Sequence, residues 1–229
     1  TAVGMNATFS PYAPRPGPGL TLNAAVDTDA TTTAELLSHR DRLEAAASSM
    51  RTVEESTLDL VSPVTAPCRV VAQMTNFASH VKDSGLNPET IPLTFFRKTS
   101  GSISGPFDDI VPPEHVRFLD HEVEIGLVVG HDLPVGTPVT EENWASFVAG
   151  LVVTNDVSAR DVQLPRTQFF ESKSYPTFTP VGPALVLVDP DELKRFGDLR
   201  LRLWVNGELR QDALTSDLIF DIPTLIETC

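Results

Sequence analysis

The chain has 229 residues, enough for one large domain with a sizeable core, and its 41% hydrophobic and 21% charged residues are ordinary for a globular protein. A formal charge of −14 argues against a nucleic-acid partner, which needs a clustered basic surface. No apolar run approaches the roughly 18 residues of a membrane span, and two cysteines, Cys68 and Cys229, give neither a metal-type spacing nor a disulfide framework. A reducing, cytoplasmic setting is the simpler reading.

Residues 1–32 are rich in Pro, Thr, Ala and Gly and read as an irregular arm. Good helix formers from Thr33 to Met50 predict a helix, and Pro63 and Pro67 punctuate a boundary. The organisation expected is a small leader over 1–65 and a catalytic domain over 66–229. Short β-type segments follow at Cys68 to Met74, Phe118 to Val129, Gly150 to Thr154, Ala184 to Val188 and Leu199 to Val205. Asn206-Gly207 reads as a hairpin turn leading into Glu208–Arg210. Helical patterns are few: Glu141 to Phe147, Asp191 to Phe196 and Asp217 to Glu227. The body is therefore mainly β with a few helices, an α+β domain with a rolled or barrel-like sheet.

The most informative stretch is Asp120-His121-Glu122-Val123-Glu124, which runs into apolar Ile125 to Val129. In an extended strand Glu122 and Glu124 project the same way, at the edge of a core. Paired carboxylates there repel each other and lose hydration unless a cation compensates them. A further carboxylate, Asp156, follows the apolar segment Gly150 to Thr154. An oxygen-only set of Glu122, Glu124 and Asp156 suits a hard divalent ion, magnesium or manganese, with calcium as a further candidate. An isolated Glu-x-Glu is ordinarily a solvated strand face, and a lone Asn-Asp an Asx turn; the two together shift the reading towards a site.

If Asn76 to Asp83 is helical, His80 and Asp83 are neighbours at i and i+3, and a carboxylate beside imidazole orients it as a general base. Lys173, flanked by Phe169-Phe170 and by Thr177 to Pro183, reads as a lysine held beside packed structure. Gly101-Ser102-Ile103-Ser104-Gly105 fails as a nucleophile elbow because its centre is isoleucine. No phosphate-binding loop or dinucleotide fingerprint is present, and Cys68 reads as a buried strand residue.

Taken in order, these segments resemble the fumarylacetoacetate hydrolase family from about Val70 to Leu225. The resemblance rests on Asn76–Asp83, Phe95-Phe96-Arg97-Lys98, Leu119–Glu124, Asn155–Gln163, Lys173-Ser174, Pro180–Pro183 and Val205–Glu208. It implies a mixed β-roll, a homodimer, and magnesium or manganese held by Glu122, Glu124 and Asp156. It implies His80 and Asp83 as the proton-moving dyad, Lys173 as the stabiliser of developing negative charge, and Arg160 and Gln163 as pocket residues. It further implies Lys98 as a binder of a substrate carboxylate.

This sequence departs from the family pattern in places. Gln73-Met74-Thr75 stands where a glycine is usual, and Asp83 stands where Glu is common. The chain stops at Cys229, ahead of the family's Pro-Gly-Asp and Thr-Gly-Thr-Pro-type segments, so the C-terminal part of the domain is expected to be missing. The function expected is a metal-dependent hydrolase cleaving a C–C bond in a 2,4-dioxo acid of aromatic catabolism. An isomerase, decarboxylase or hydratase on unsaturated 2-oxo dioic acids is the alternative, and a non-catalytic metal- or metabolite-binding protein is the reading from another class.

Overall fold

The computed structural model describes residues 2–4, 54, 57–64, 68–130, 133–166 and 169–229. The helix expected over Thr33 to Met50 lies outside them. The strands are β1 (Ala2–Gly4), β2 (Arg69–Gln73), β3 (Phe95–Lys98), β4 (Ile103–Ser104), β5 (Leu119–Asp120), β6 (Val123–Val129), β7 (Val148–Asn155), β8 (Ser158–Ala159), β9 (Thr179–Pro180), β10 (Val186–Leu187), β11 (Arg200–Val205) and β12 (Glu208–Leu214). Short helices α1 (Ala78–Asp83), α2 (Arg160–Arg166), α3 (Phe169–Ser172), α4 (Pro190–Leu193) and α5 (Ile222–Thr228) lie among them. Sheets dominate a few helices, as the mainly-β reading requires.

The central sheet has six strands in the order β10-β7-β6-β1-β2-β3. Side-chain alternation along β6 sends Leu127 and Val128 to opposite faces, and each face has its own core. Val128 packs with Val64, Val70, Ala149 and Val152. Leu127 packs with Trp144, Val148, Leu193, Ile222 and Leu225. Gly150 permits the crossing of β10, because a Cβ there would collide with the Val186 backbone. Among the described residues no helix is long and apolar enough to cross a membrane.

Several boundaries differ from the sequence reading. The strand expected from Phe118 to Val129 is broken at His121-Glu122 into β5 and β6. The Asn155 side chain takes the Glu122 N–H at 2.9 Å, so Glu122 lies in a kink outside the ladder. Glu141 to Phe147 is helical only as a 3₁₀ turn over Trp144–Phe147, with Thr140 and Asn143 bonding the local backbone ahead of it. The hairpin after Asn206-Gly207 extends to Leu214, beyond Arg210, with Arg200 bonded across it to Asp212. The C-terminal helix begins at Ile222, capped by Asp221, and not at Asp217. Two helices that the sequence reading missed, α2 and α3, flank the site.

Candidate active site

Strands β6 and β7 are antiparallel, with Val123 opposite Asn155. The residues just beyond that pair, Glu122 and Asp156, are therefore neighbours, and the Asp156 N–H donates to the Glu122 carbonyl at 2.8 Å. Beyond them β5 pairs with β8, bringing Asp120 opposite Ser158 and leading into α2. This geometry gathers Asp120, Glu122, Asp156 and Arg160 at one end of the sheet.

Two lysines meet these carboxylates. Lys98, the last residue of β3, donates to Asp156 Oδ1 at 2.5 Å and to the Phe178 carbonyl at 2.8 Å. Lys173, which follows α3, donates to Asp156 Oδ2 at 2.6 Å and Glu122 Oε2 at 2.9 Å. Its ammonium also lies 5.4 Å from the centre of the Phe96 ring, within reach of the ring quadrupole. Lys173 and Asp156 are enclosed, with side chains 3% and 8% exposed, while Glu122 reaches solvent at 23%.

On the solvent side Arg160 forks between Asp120 Oδ2 at 2.8 Å and Glu122 Oε1 at 2.5 Å, and its third arm reaches Gln163 Oε1 at 2.7 Å. The Ser158 hydroxyl donates to the Asp156 carbonyl at 3.0 Å. The predicted site residues Glu122, Asp156, Arg160, Gln163, Lys98 and Lys173 are thus brought together. Lys98, expected at a substrate carboxylate, is instead buried against Asp156 and the Phe178 carbonyl. The sequence reading assigned no role to Asp120, Asn155 or Ser158. Their signal was present, since all three fall inside the polar runs that made the motif conspicuous.

Electrostatics follow from crowding. Burial lowers the Lys98 ammonium below the usual lysine value, with Asp156 acting against that shift. Glu124 is pushed up to about 7, chiefly by burial, with the charges of Asp156 and Glu122 adding to the rise. Burial opposes ionisation of Asp120, but the Arg160 bond, the His121 N–H and the charges of Arg160 and His121 together outweigh it, and the carboxyl lies below its ordinary range.

Among the described residues no group of three His, Cys, Asp or Glu side chains stands in a metal-holding arrangement. Lys98 and Lys173 take up both Asp156 oxygens instead. The donor chemistry nevertheless fits a hard divalent cation. All the donors are carboxylate oxygens, and Glu124 feels the negative charge of both Glu122 and Asp156. The expected dyad is not assembled: His80 and Asp83 are both exposed on α1, and no hydrogen bond or ion pair joins them among the described residues.

A rim of carboxylates backed by enclosed ammonium groups thus stands at one end of the β-rich body. The family model for the fumarylacetoacetate (FAA) hydrolase C-terminal region matches residues 69–229, and the chain belongs to that family. It is 34% identical over 187 residues to the mitochondrial oxaloacetate tautomerase Fahd2a of Rattus norvegicus, covering 80% of this chain and 56% of that protein. It is 39% identical over 165 residues to the 2,4-didehydro-3-deoxy-L-rhamnonate hydrolase of Sphingomonas sp. (strain SKA58), covering 72% of this chain and 56% of that one. Among solved structures, maleylpyruvate hydrolase from Sphingobium sp. SYK-6, in complex with manganese(II) and pyruvate, superposes with a TM-score of 0.68 at 29% identity. That match covers 86% of this chain and 66% of the other. The chain thus spans little more than half the length of these curated relatives.

Proposed function

We propose that this chain carries the site of an enzyme that takes a small 2-oxo acid through an enolate, and that keto–enol isomerisation is the reaction it supports best. The observation that carries this reading is Lys173. Its ammonium is held at 2.6 Å and 2.9 Å from two carboxylates and enclosed from water. A preorganised cation in a poorly hydrated place favours an oxygen that gains negative charge more than it favours the neutral ketone.

In this mechanism Lys173 stabilises the enolate oxygen, while Arg160 and Gln163 orient the acid at the solvent-facing side. His80, exposed on α1, is the group assigned to take the proton from the carbon next to the carbonyl. The divalent cation that Glu122, Glu124 and Asp156 would hold supplies Lewis-acid polarisation of the 2-oxo group. Isomerisation needs only a proton moved between carbon and oxygen, so it does not need an assembled water-activating dyad. The likeness to an oxaloacetate tautomerase supports the same reading.

Hydrolysis of a C–C bond in a 2,4-dioxo acid is the second reading, supported by the likeness to two hydrolases. There His80 takes its proton from water, and Asp83, three residues further along α1, orients the imidazole. The deciding experiment follows the enol absorbance of oxaloacetate and of an acylpyruvate panel, with manganese or magnesium and again with chelator, together with product masses. Metal-dependent change without a change in mass supports isomerisation. Two acid products support hydrolysis, and released carbon dioxide supports decarboxylation. No change in any substrate with metal demonstrably bound would remove the enolate reading.

A further inference from the structure

Helix α1, which carries His80, has only six residues, and its N-cap Phe77 offers no side-chain acceptor. A helix that short does not hold itself in water, and its first N–H groups need partners. The partner comes from the far end of the chain. Asp217 Oδ2 accepts the Ser79 N–H at 2.8 Å and the Ser79 hydroxyl at 2.5 Å. We infer that Asp217 is the cap of α1 and the positioning residue that sets where His80 stands.

The surrounding contacts make this a strap and not a single bond. Buried Asn76 donates to the Phe220 carbonyl at 3.2 Å and accepts the Phe220 N–H at 2.8 Å. Its own carbonyl takes the Ile219 N–H at 2.8 Å, and Phe77 forms a bridge with Leu218. Residues 217–220 therefore run alongside 76–79. They lead directly into α5, where Asp221 caps the helix and Ile222, Leu225 and Ile226 are sunk in the core. On its other side α1 follows β2 through Thr75, which sits at φ 59°, a conformation costly for a β-branched residue. His80 is thus referenced to the core by way of α5 and Asp217, with the strained turn at Thr75 held in place by the Asn76 bonds. Local sequence does not order this helix; the strap does.

The inference rests on the assignment of His80 to proton transfer, and its test separates the two. The whole chain is compared with Asp217→Ala, which removes the acceptor, and Asp217→Asn, which keeps one. Amide exchange at Ser79, Val81 and Ser84 is expected to rise about five- to tenfold in Asp217→Ala, while the amides of β6 and β7 are unchanged. Asp217→Asn should retain protection within about twofold. Turnover should fall in Asp217→Ala with KM little changed, yet Asp217→Ala should cost nothing further in a His80→Ala background. Unaltered exchange in α1, or an equal loss of turnover with and without His80, overturns the cap role. Full activity of His80→Ala overturns the proton-transfer assignment, and with it the catalytic meaning of the strap.

Discussion

Lys98 Nζ lies 2.5 Å from Asp156 Oδ1, with the two side chains only 1% and 8% exposed. The lysine ends a strand fixed by the Val70–Lys98 register, and the aspartate begins the turn after β7. Their bond therefore ties one edge of the central sheet to its carboxylate-bearing end. A buried pair of this kind gains little over apolar replacement, but losing one partner strands the other.

Lys98→Met should accordingly destabilise the fold by about 3 kcal/mol, the low end for a broken buried pair, because Lys173 still serves Asp156. Urea denaturation reads the change. Lys98→Met combined with Asp156→Asn should recover part of the loss, since no uncompensated charge then remains. A double variant as unstable as the sum of the singles would show that packing, and not charge, dominates.

Thr75 offers a prediction of opposite sign. It holds φ 59°, in the left-handed region. The left-handed region costs a non-glycine residue about 1–2 kcal/mol, and glycine returns about 0.5–1 kcal/mol through the freedom of the unfolded chain. Thr75→Gly should therefore be neutral to stabilising by up to about 1 kcal/mol, raising Tm by about 2–4 °C. A lowered Tm would mean that the threonine side chain supplies a contact worth more than the strain.

The sequence made the sheet legible where apolar runs were long and alternation was regular, as in β2, β6, β7 and β11. It misread places where a side chain competes with the ladder. Asn155 pulls Glu122 out of the strand, so same-face alternation of Glu122 and Glu124 was the wrong basis for a correct proximity. Helix α2 was hidden because Pro165 and the polar run before it look like loop. That Glu122, Asp156, Arg160 and Lys173 carry polar chemistry was legible, because each motif keeps its charged groups on a short stretch. The pairings were not legible. That Lys98 faces Asp156, or that Asp217 caps α1, depends on contacts between residues 58 and 138 positions apart.

Cys68 carries the pH prediction. Burial raises its thiol from 9.0 to about 11. The folded state then favours the neutral thiol relative to the unfolded chain, so stability is constant below pH 9 and falls as pH rises from 9 towards 11. The loss tends to about 2 kcal/mol at the upper end of that window. Denaturation midpoints of the protein and of Cys68→Ala should converge in slope below pH 9 and diverge above it. In native protein a thiol reagent should modify exposed Cys229 and leave Cys68 untouched until unfolding. Equal rates at both would contradict the burial.

Lys173 and the carboxylates around it should separate metal binding from turnover. In Lys173→Met, Asp156 keeps its Lys98 bond and Glu122 keeps its Arg160 bond, so neither carboxylate is stranded. Turnover of a 2-oxo acid should fall by about 10²–10³, as when a preorganised donor to a developing oxyanion is lost. Manganese affinity, measured by calorimetry on chelator-treated protein, should hold or increase, because a competing ammonium has left the same oxygens. Glu124→Gln should do the reverse to the metal and weaken binding by at least about tenfold, having removed one hard ligand. Oxalate, a planar dianion shaped like the enolate, should bind the native protein well and Lys173→Met poorly. If Lys173→Met lost metal and activity together, the lysine would be a structural partner of Asp156 and not the group that meets the enolate.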